Sequence, residues 1–237
     1  MGIIREIVER DAAAWELTLT TSMLDQLEEY ASLLLDWNTR MNLTAIKEPE
    51  GVAVRHFADS LSLLTAVDLP KGATVIDVGT GAGFPGMVLK IVRPDLKLTL
   101  LDSLNKRLIF LDALKTQLGL DADLVHLRAE DGGRRPALRD RFDLATARAV
   151  APLNVLCEWC LPYVKPGGKF AAMKGPDAGE EVASAAKAIH ELNGTLEEEK
   201  NLTLSDGSKR AILVMAKKGA TSQKYPRTAA KIQKAPL

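Results

Sequence analysis

The sequence predicts an α/β fold: a mostly parallel seven-stranded sheet wrapped by helices, ending in an antiparallel hairpin and preceded by a helical cap. Three observations predict it. From Thr74 onward, short apolar or β-branched runs alternate with helical stretches. A glycine turn, Gly79-Thr80-Gly81-Ala82-Gly83, follows the first of those runs directly. The two last runs flank Ser205-Asp206-Gly207, a turn that makes them an antiparallel pair.

The elements follow in order. Residues 1–70 read as the helical cap. Ser22 is placed to cap a helix, with Asp25 in capping-box position, and Leu24, Leu27, Ala31, Leu34 and Leu35 share one face. Asn38 and Asn42 break that pattern. A second helix spans about 52–67 and is stopped by Pro70 and Gly72. Residues 71–218 read as the sheet domain. Its strands are expected at 75–78, 98–101, 124–127, 142–146, 169–174, 196–204 and 211–217. Its helices are expected at 85–92, 105–118, 153–161 and 178–192, the first opening on Pro85. Pro166-Gly167-Gly168 is expected to be a turn. Residues 219–237 read as an extended basic tail.

Composition narrows the class. The chain of 237 residues carries 31 basic and 31 acidic side chains. No run of eighteen apolar residues is present, so no transmembrane helix is expected, and no secretory signal opens the chain. A cytoplasmic monomer is the expectation. The charge is uneven: eight lysines and arginines and no acid follow Asp206. A basic end suits a polyanion met at one edge, and equally a solvated tail. Cys157 and Cys160 form C-x-x-C inside an apolar helical stretch, which reads as two small apolar residues on one helix face. With no other cysteine and three scattered histidines, no metal site is expected.

The glycines carry the chemistry. Strand, glycine turn and helix bring main-chain N–H groups close to a ligand. The spacing is G-x-G-x-G, not the G-x-G-x-x-G of dinucleotide sites. Asp102 ends the second strand, where an acid can take both hydroxyls of a ribose. The pattern resembles the first motif of class I methyltransferases, Rossmann-like proteins that bind S-adenosyl-L-methionine (SAM).

More specific segments follow. Leu35-Asp36-Trp37-Asn38 with Met41-Asn42-Leu43-Thr44, then His56-Phe57-Ala58-Asp59-Ser60-Leu61, Arg128-Ala129-Glu130, Ala147-Arg148-Ala149 and Lys174-Gly175 resemble the RsmG family, also called GidB. The resemblance runs from about residue 22 to the C-terminus, departing at Thr228-Ala229-Ala230-Lys231. It implies methylation of N7 of one guanine in 16S ribosomal RNA; a near-neutral chain should not bind bare RNA tightly, so a shaped small-subunit ribonucleoprotein is the expected substrate. It also implies a SAM site: Gly79, Gly81, Gly83 and Phe84 in the loop, Asp102 at the ribose, Ala129 and Glu130 beside the adenine, and Arg148 at the rim. Lys174, Lys224, Arg227 and Lys231 are candidates for RNA contact, Lys174 equally for a solvated charge.

The chemistry agrees. Guanine N7 has a lone pair and no proton to lose, so no catalytic acid or base is expected. Exocyclic amines need oxygens that accept their hydrogens, and Thr146-Ala147-Arg148-Ala149-Val150 offers an arginine, which cannot accept. Arg148 could donate to guanine O6. His56 and Asp59, one helical turn apart, read as an acid–base pair, an RNA-facing edge or, in preference, a structural link between cap and sheet. The competing functions are a methyltransferase for another RNA, a protein or a small molecule, and a non-catalytic RNA-binding module.

Overall fold

β1 (Thr74–Val78) lies at the centre of the sheet because its side chains can be buried on both faces. The computed structural model describes residues 2–148, 151–176 and 178–237. β1 pairs in parallel with β2 (Lys97–Asp102), Val75 opposite Leu98, and with β4 (Phe142–Arg148), Ile76 opposite Ala145. β3 (Ala122–His126) extends one edge beside β2. β5 (Val164–Lys174) follows β4 in parallel; β7 (Lys209–Lys217) then runs antiparallel to β5 and to β6 (Gly194–Thr203). The order is β3-β2-β1-β4-β5-β7-β6. The direction of building reverses between β1 and β4, and ligands of such sheets bind at that switch point, beyond the carboxyl ends of the strands.

The cap is built from α1 (Gly2–Ala14), α2 (Thr21–Met41) and a helical run over residues 49–65. That run is not uniform. α3 (Pro49–Val52) and α4 (Asp59–Ser62) are joined by a π-helical turn, Ala53–Ala58, and a 3-10 turn, Leu63–Thr65, closes it. The buried Leu24, Leu27, Ala31 and Leu34 merge with Met87, Leu111 and Leu114 of the sheet domain in one hydrophobic cluster.

Several expected boundaries move. α2 is capped by Thr20, not Ser22; the Thr20 hydroxyl accepts from the Met23 N–H at 3.3 Å. The helix also runs through Asn38 to Met41. Asn38 turns its carboxamide oxygen onto the N–H groups of Leu43 and Thr44, and Asn42 ends the helix in the left-handed region at φ 49°. α5 (Gly86–Val92) has Pro85 as its N-cap, not as its first helical residue. The expected turn Pro166-Gly167-Gly168 lies within β5, which begins earlier because its register with β4 shifts between Phe142 and Leu144. α6 (Asn105–Gln117) stops before Gly119 as expected. α7 (Ala129–Gly132) is a single turn that the pattern did not announce, whereas α8 (Leu153–Cys160) and α9 (Ala178–Glu191) lie close to their predicted places.

The largest difference is the tail. It is not extended: it carries α10 (Ala229–Lys234) and buries Tyr225 and Ile232. Their burial, with the carbonyl groups that Arg139 gathers, holds it against the body.

Candidate active site

The glycine loop leaves β1 at Gly79 and is pinned by two buried carboxylates. Asp77, within β1, accepts from the Thr80 hydroxyl at 2.7 Å and from the Gly86 N–H at 2.9 Å through Oδ2. Its Oδ1 is buried without a protein partner, and burial raises its pKa to about 6. Asp102, at the tip of β2, accepts from the Gly81 N–H at 2.9 Å and the Leu104 N–H at 2.8 Å. Gly79 and Thr80 add main-chain bonds to the Leu101 carbonyl. The loop is therefore fixed at both ends before any ligand arrives.

Its glycines divide by role. Gly81, at φ +62°, has open space where a Cβ would stand. Gly83, at φ +101°, has none: a Cβ there would come within 2.6 Å of the Tyr30 hydroxyl. Tyr30 of α2 donates that hydroxyl to the Ala82 carbonyl at 2.5 Å. Its ring stacks on Phe84, 5.2 Å between centroids, and Phe84 stacks in turn on His56 at 4.3 Å. The cap thus supplies two rings of a three-ring stack that holds the loop from behind.

In front of the loop lies a cleft of ≈ 440 Å³ at the carboxyl ends of β1, β2 and β3. Gly79, Asp102, Ala129 and Glu130 line it together. Its apolar walls include Val78, Leu101 and Leu127, and Ser103, Arg107, Arg128, Trp159, Ala229 and Gln233 complete it. Gly81, Gly83, Phe84 and Arg148 are not part of that lining; Gly81 and Gly83 shape the loop, and Phe84 is buried in the stack. The Trp159 indole N–H is buried with no partner among the described residues. The cleft fits SAM: carboxylates for hydroxyls and apolar walls for a purine.

A second hollow, of ≈ 380 Å³, opens beyond β4 and β5. Arg148 lines it, away from the cofactor cleft. Its Nη1 donates to Asp59 Oδ2 and to the Arg55 carbonyl, each at 2.9 Å, and its Nη2 to His56 Nδ1 at 3.0 Å. Its guanidinium sits 5.0 Å from the Phe84 centroid. Asp59 also takes Arg210 at 3.1 Å. An arginine cannot accept, so His56 Nδ1 is the acceptor and Nε2 carries the hydrogen, donated to Thr44 Oγ1 at 2.8 Å. Burial, then the Arg148 charge, lowers the His56 pKa to about 3. His56 and Asp59 join cap, loop and β4. Ala149 and Val150, which complete the strand-four motif, lie outside the described residues.

Three of the four other expected cations are engaged. Lys174 pairs with Glu181 at 2.8 Å and donates to the Ala151 carbonyl. Lys224 pairs with Glu191, and Arg227 with the buried Glu158. Lys231 is exposed on α10. Cys157 and Cys160 are buried free thiols whose pKa values burial pushes up, which fits two apolar core positions. Among the described residues, no group of three or more His, Cys, Asp or Glu is placed to hold a metal ion, and no helix is long and apolar enough to cross a membrane.

Missed by the pattern were Asp77, Tyr30, Trp159 and Gln233. Only Asp77 carried a local signal, as the acid two residues before the first loop glycine.

A sheet of this order with a glycine loop after β1 and an acid at the tip of β2 is the architecture of class I SAM-dependent methyltransferases. The 16S rRNA (adenine(1408)-N(1))-methyltransferase from Catenulisporales acidiphilia, solved as a variant, shares the fold with a TM-score of 0.52 at 16% identity, over 63% of this chain and 87% of that one. The family model described as rRNA small subunit methyltransferase G matches residues 23–211, and the chain belongs to that family, GidB. Two relatives, each named ribosomal RNA small subunit methyltransferase G, are similar over nearly their full length. The protein of Alkaliphilus oremlandii is 46% identical, with 99% of each chain covered. That of Alkaliphilus metalliredigens is 50% identical, with 91% of each covered.

Proposed function

We propose that the protein transfers a methyl group from SAM to N7 of one guanine in 16S ribosomal RNA, acting in the cytoplasm as a monomer on a small-subunit ribonucleoprotein. The observation that carries this reading is the cleft with Asp102 at the end of β2, in a chain of this family.

When bound, SAM supplies a sulfonium methyl group already activated for transfer. The protein's own work is alignment. The Gly79–Gly83 main chain would receive the methionine part, Asp102 the ribose, and Ala129 and Glu130 the adenine, where the first N–H groups of a helix have no partner within it. Holding donor and acceptor in line supplies about 7–11 kcal/mol of a reaction barrier. No side chain need remove a proton, because guanine N7 has none.

Arg148 stands at the β1/β4 switch point, the natural place for the target base. Three of its five N–H groups are held by Arg55, Asp59 and His56. Among the described residues nothing takes the Nε–H and one Nη2–H, which can donate to guanine O6. The preference for a ribonucleoprotein rests on charge. The 31 basic side chains are balanced by 31 acidic ones, and Lys174, Lys224 and Arg227 are paired with carboxylates on the protein, so net attraction for bare phosphates is small.

A transfer assay tests the proposal. Small subunits from cells lacking the gene are offered with labelled SAM, beside naked 16S RNA. Label in the 16S RNA of the subunits, with far less in naked RNA, is expected. No label in either contradicts the function; equal labelling contradicts the ribonucleoprotein preference.

A further inference from the structure

We infer that the C-terminal segment is part of the cofactor site: Ala229 and Gln233 of α10 form one wall of the adenosine end of the cleft. The inference rests on the SAM reading of that cleft. α10 is one of the elements that line it, and it comes from the far end of the chain. Ala229 and Gln233 are four residues apart, so they share one face of the helix. That face meets the cleft beside Asp102 and Glu130, whereas the neighbouring Ile232 is buried at 1% exposure and ties the helix down.

The segment is held as a strap. Arg139, itself buried, donates through Nη1 to the Gly133 and Tyr225 carbonyls at 2.9 Å, and through Nη2 to the Thr221 carbonyl at 2.6 Å. Glu158, fully buried, receives the Arg227 N–H at 2.7 Å and its guanidinium on both oxygens. Glu158 is next to Trp159 on α8. The Arg227 clamp therefore sets α10 beside the indole that lines the same cleft and whose N–H is buried without a partner among the described residues. Gln233 is exposed at the mouth, with a carboxamide that can both donate and accept. That is the chemistry of an adenine edge, which presents an amino donor and ring-nitrogen acceptors.

Arg227 accordingly serves the cofactor site by positioning the strap, not by meeting RNA. A ligand packed against α10 would also steady that helix.

The test is calorimetric binding of SAM and S-adenosylhomocysteine to the full chain, to Gln233→Ala, to Ala229→Trp and to a chain ending at Thr228. The expected result is affinity lower by about three- to tenfold for Gln233→Ala, and by more than tenfold for Ala229→Trp and the shortened chain. Bound SAM should also slow tryptic cleavage after Lys231 in the full chain. Circular dichroism identifies any variant that has not folded, and Gln233→Ala, at an exposed position, carries the test if the shortened chain fails. Full-chain binding with unchanged affinity in Gln233→Ala and Ala229→Trp overturns the inference. No binding by the full chain overturns the SAM reading instead.

Discussion

His56 of the cap lies face to face with Phe84 of the glycine loop, 4.3 Å between ring centroids and 13° between planes. Tyr30 stacks on the same Phe84 ring, 5.2 Å between centroids and with planes 5° apart. The glycine loop is thus clamped by two cap rings, and cap and sheet share one core. Replacing Phe84 by Ala removes the middle ring. A loss of about 3–5 kcal/mol is expected, read as the shift in a urea unfolding curve, with weaker SAM binding alongside. A loss under about 1 kcal/mol would contradict the clamp.

His56 also gives stability a dependence on pH. Its folded pKa, about 3, lies below its ordinary value of 6.5 because burial and Arg148 disfavour the imidazolium. Between those values the unfolded chain binds a proton that the folded chain refuses. The contribution of neutral His56 is full above pH 6.5 and is lost as pH falls toward 3. Asp77, raised to about 6, acts in the opposite sense, weakening the fold as pH rises from 3.8 through 6. The two partly cancel in the intact protein. Comparing it with His56→Gln isolates the histidine: the variant's deficit at pH 7.5 should shrink by about 2 kcal/mol at pH 5. A deficit independent of pH would contradict this assignment.

Asp102 is nearly saturated without a ligand. Besides the Gly81 and Leu104 N–H groups it takes Arg107 Nη1 at 3.1 Å. A ribose can claim Asp102 Oδ2 only if Arg107, 33% exposed and free to swing outward, gives up its place. Arg107→Ala should therefore bind SAM as tightly as the native chain or somewhat more tightly, whereas Asp102→Ala should lose at least tenfold. A large loss in Arg107→Ala would make Arg107 a ligand contact instead.

Arg148 does not line the cofactor cleft, so its removal should divide binding from turnover. Arg148→Ala is expected to keep SAM affinity within about threefold and to lower kcat/KM for small subunits by about tenfold or more, the scale of a lost charged hydrogen bond. Arg148→Lys keeps the charge but loses the fork, and should recover little. A change in SAM affinity alone would remove the proposed bond to guanine O6.

Much of this was legible in the chain because the signals are local. The strands, the glycine spacing and Asp102 each declare themselves within a few residues, and their order fixes the sheet and the near side of the cleft. What was not legible depends on distant partners. Tyr30 is one apolar-face residue of a helix until its hydroxyl meets Ala82. Arg227 is a tail cation until folding brings it to Glu158. The π-helical turn over Ala53–Ala58, which sets Arg55 and His56 toward Arg148, has no recognisable spacing in a helical sequence. The tail was expected to be extended for the same reason: nothing in its basic composition announces that Tyr225 and Ile232 are buried and hold it against the body.

The most direct measurement is the position of the transferred methyl group on the base. 16S RNA labelled by the protein in small subunits is treated with borohydride and aniline, which cleave the chain at N7-methylguanosine. Cleavage at a single guanine that carries the label is predicted. Label that survives intact, on an exocyclic amine or another base, would contradict an alignment-only transfer to N7.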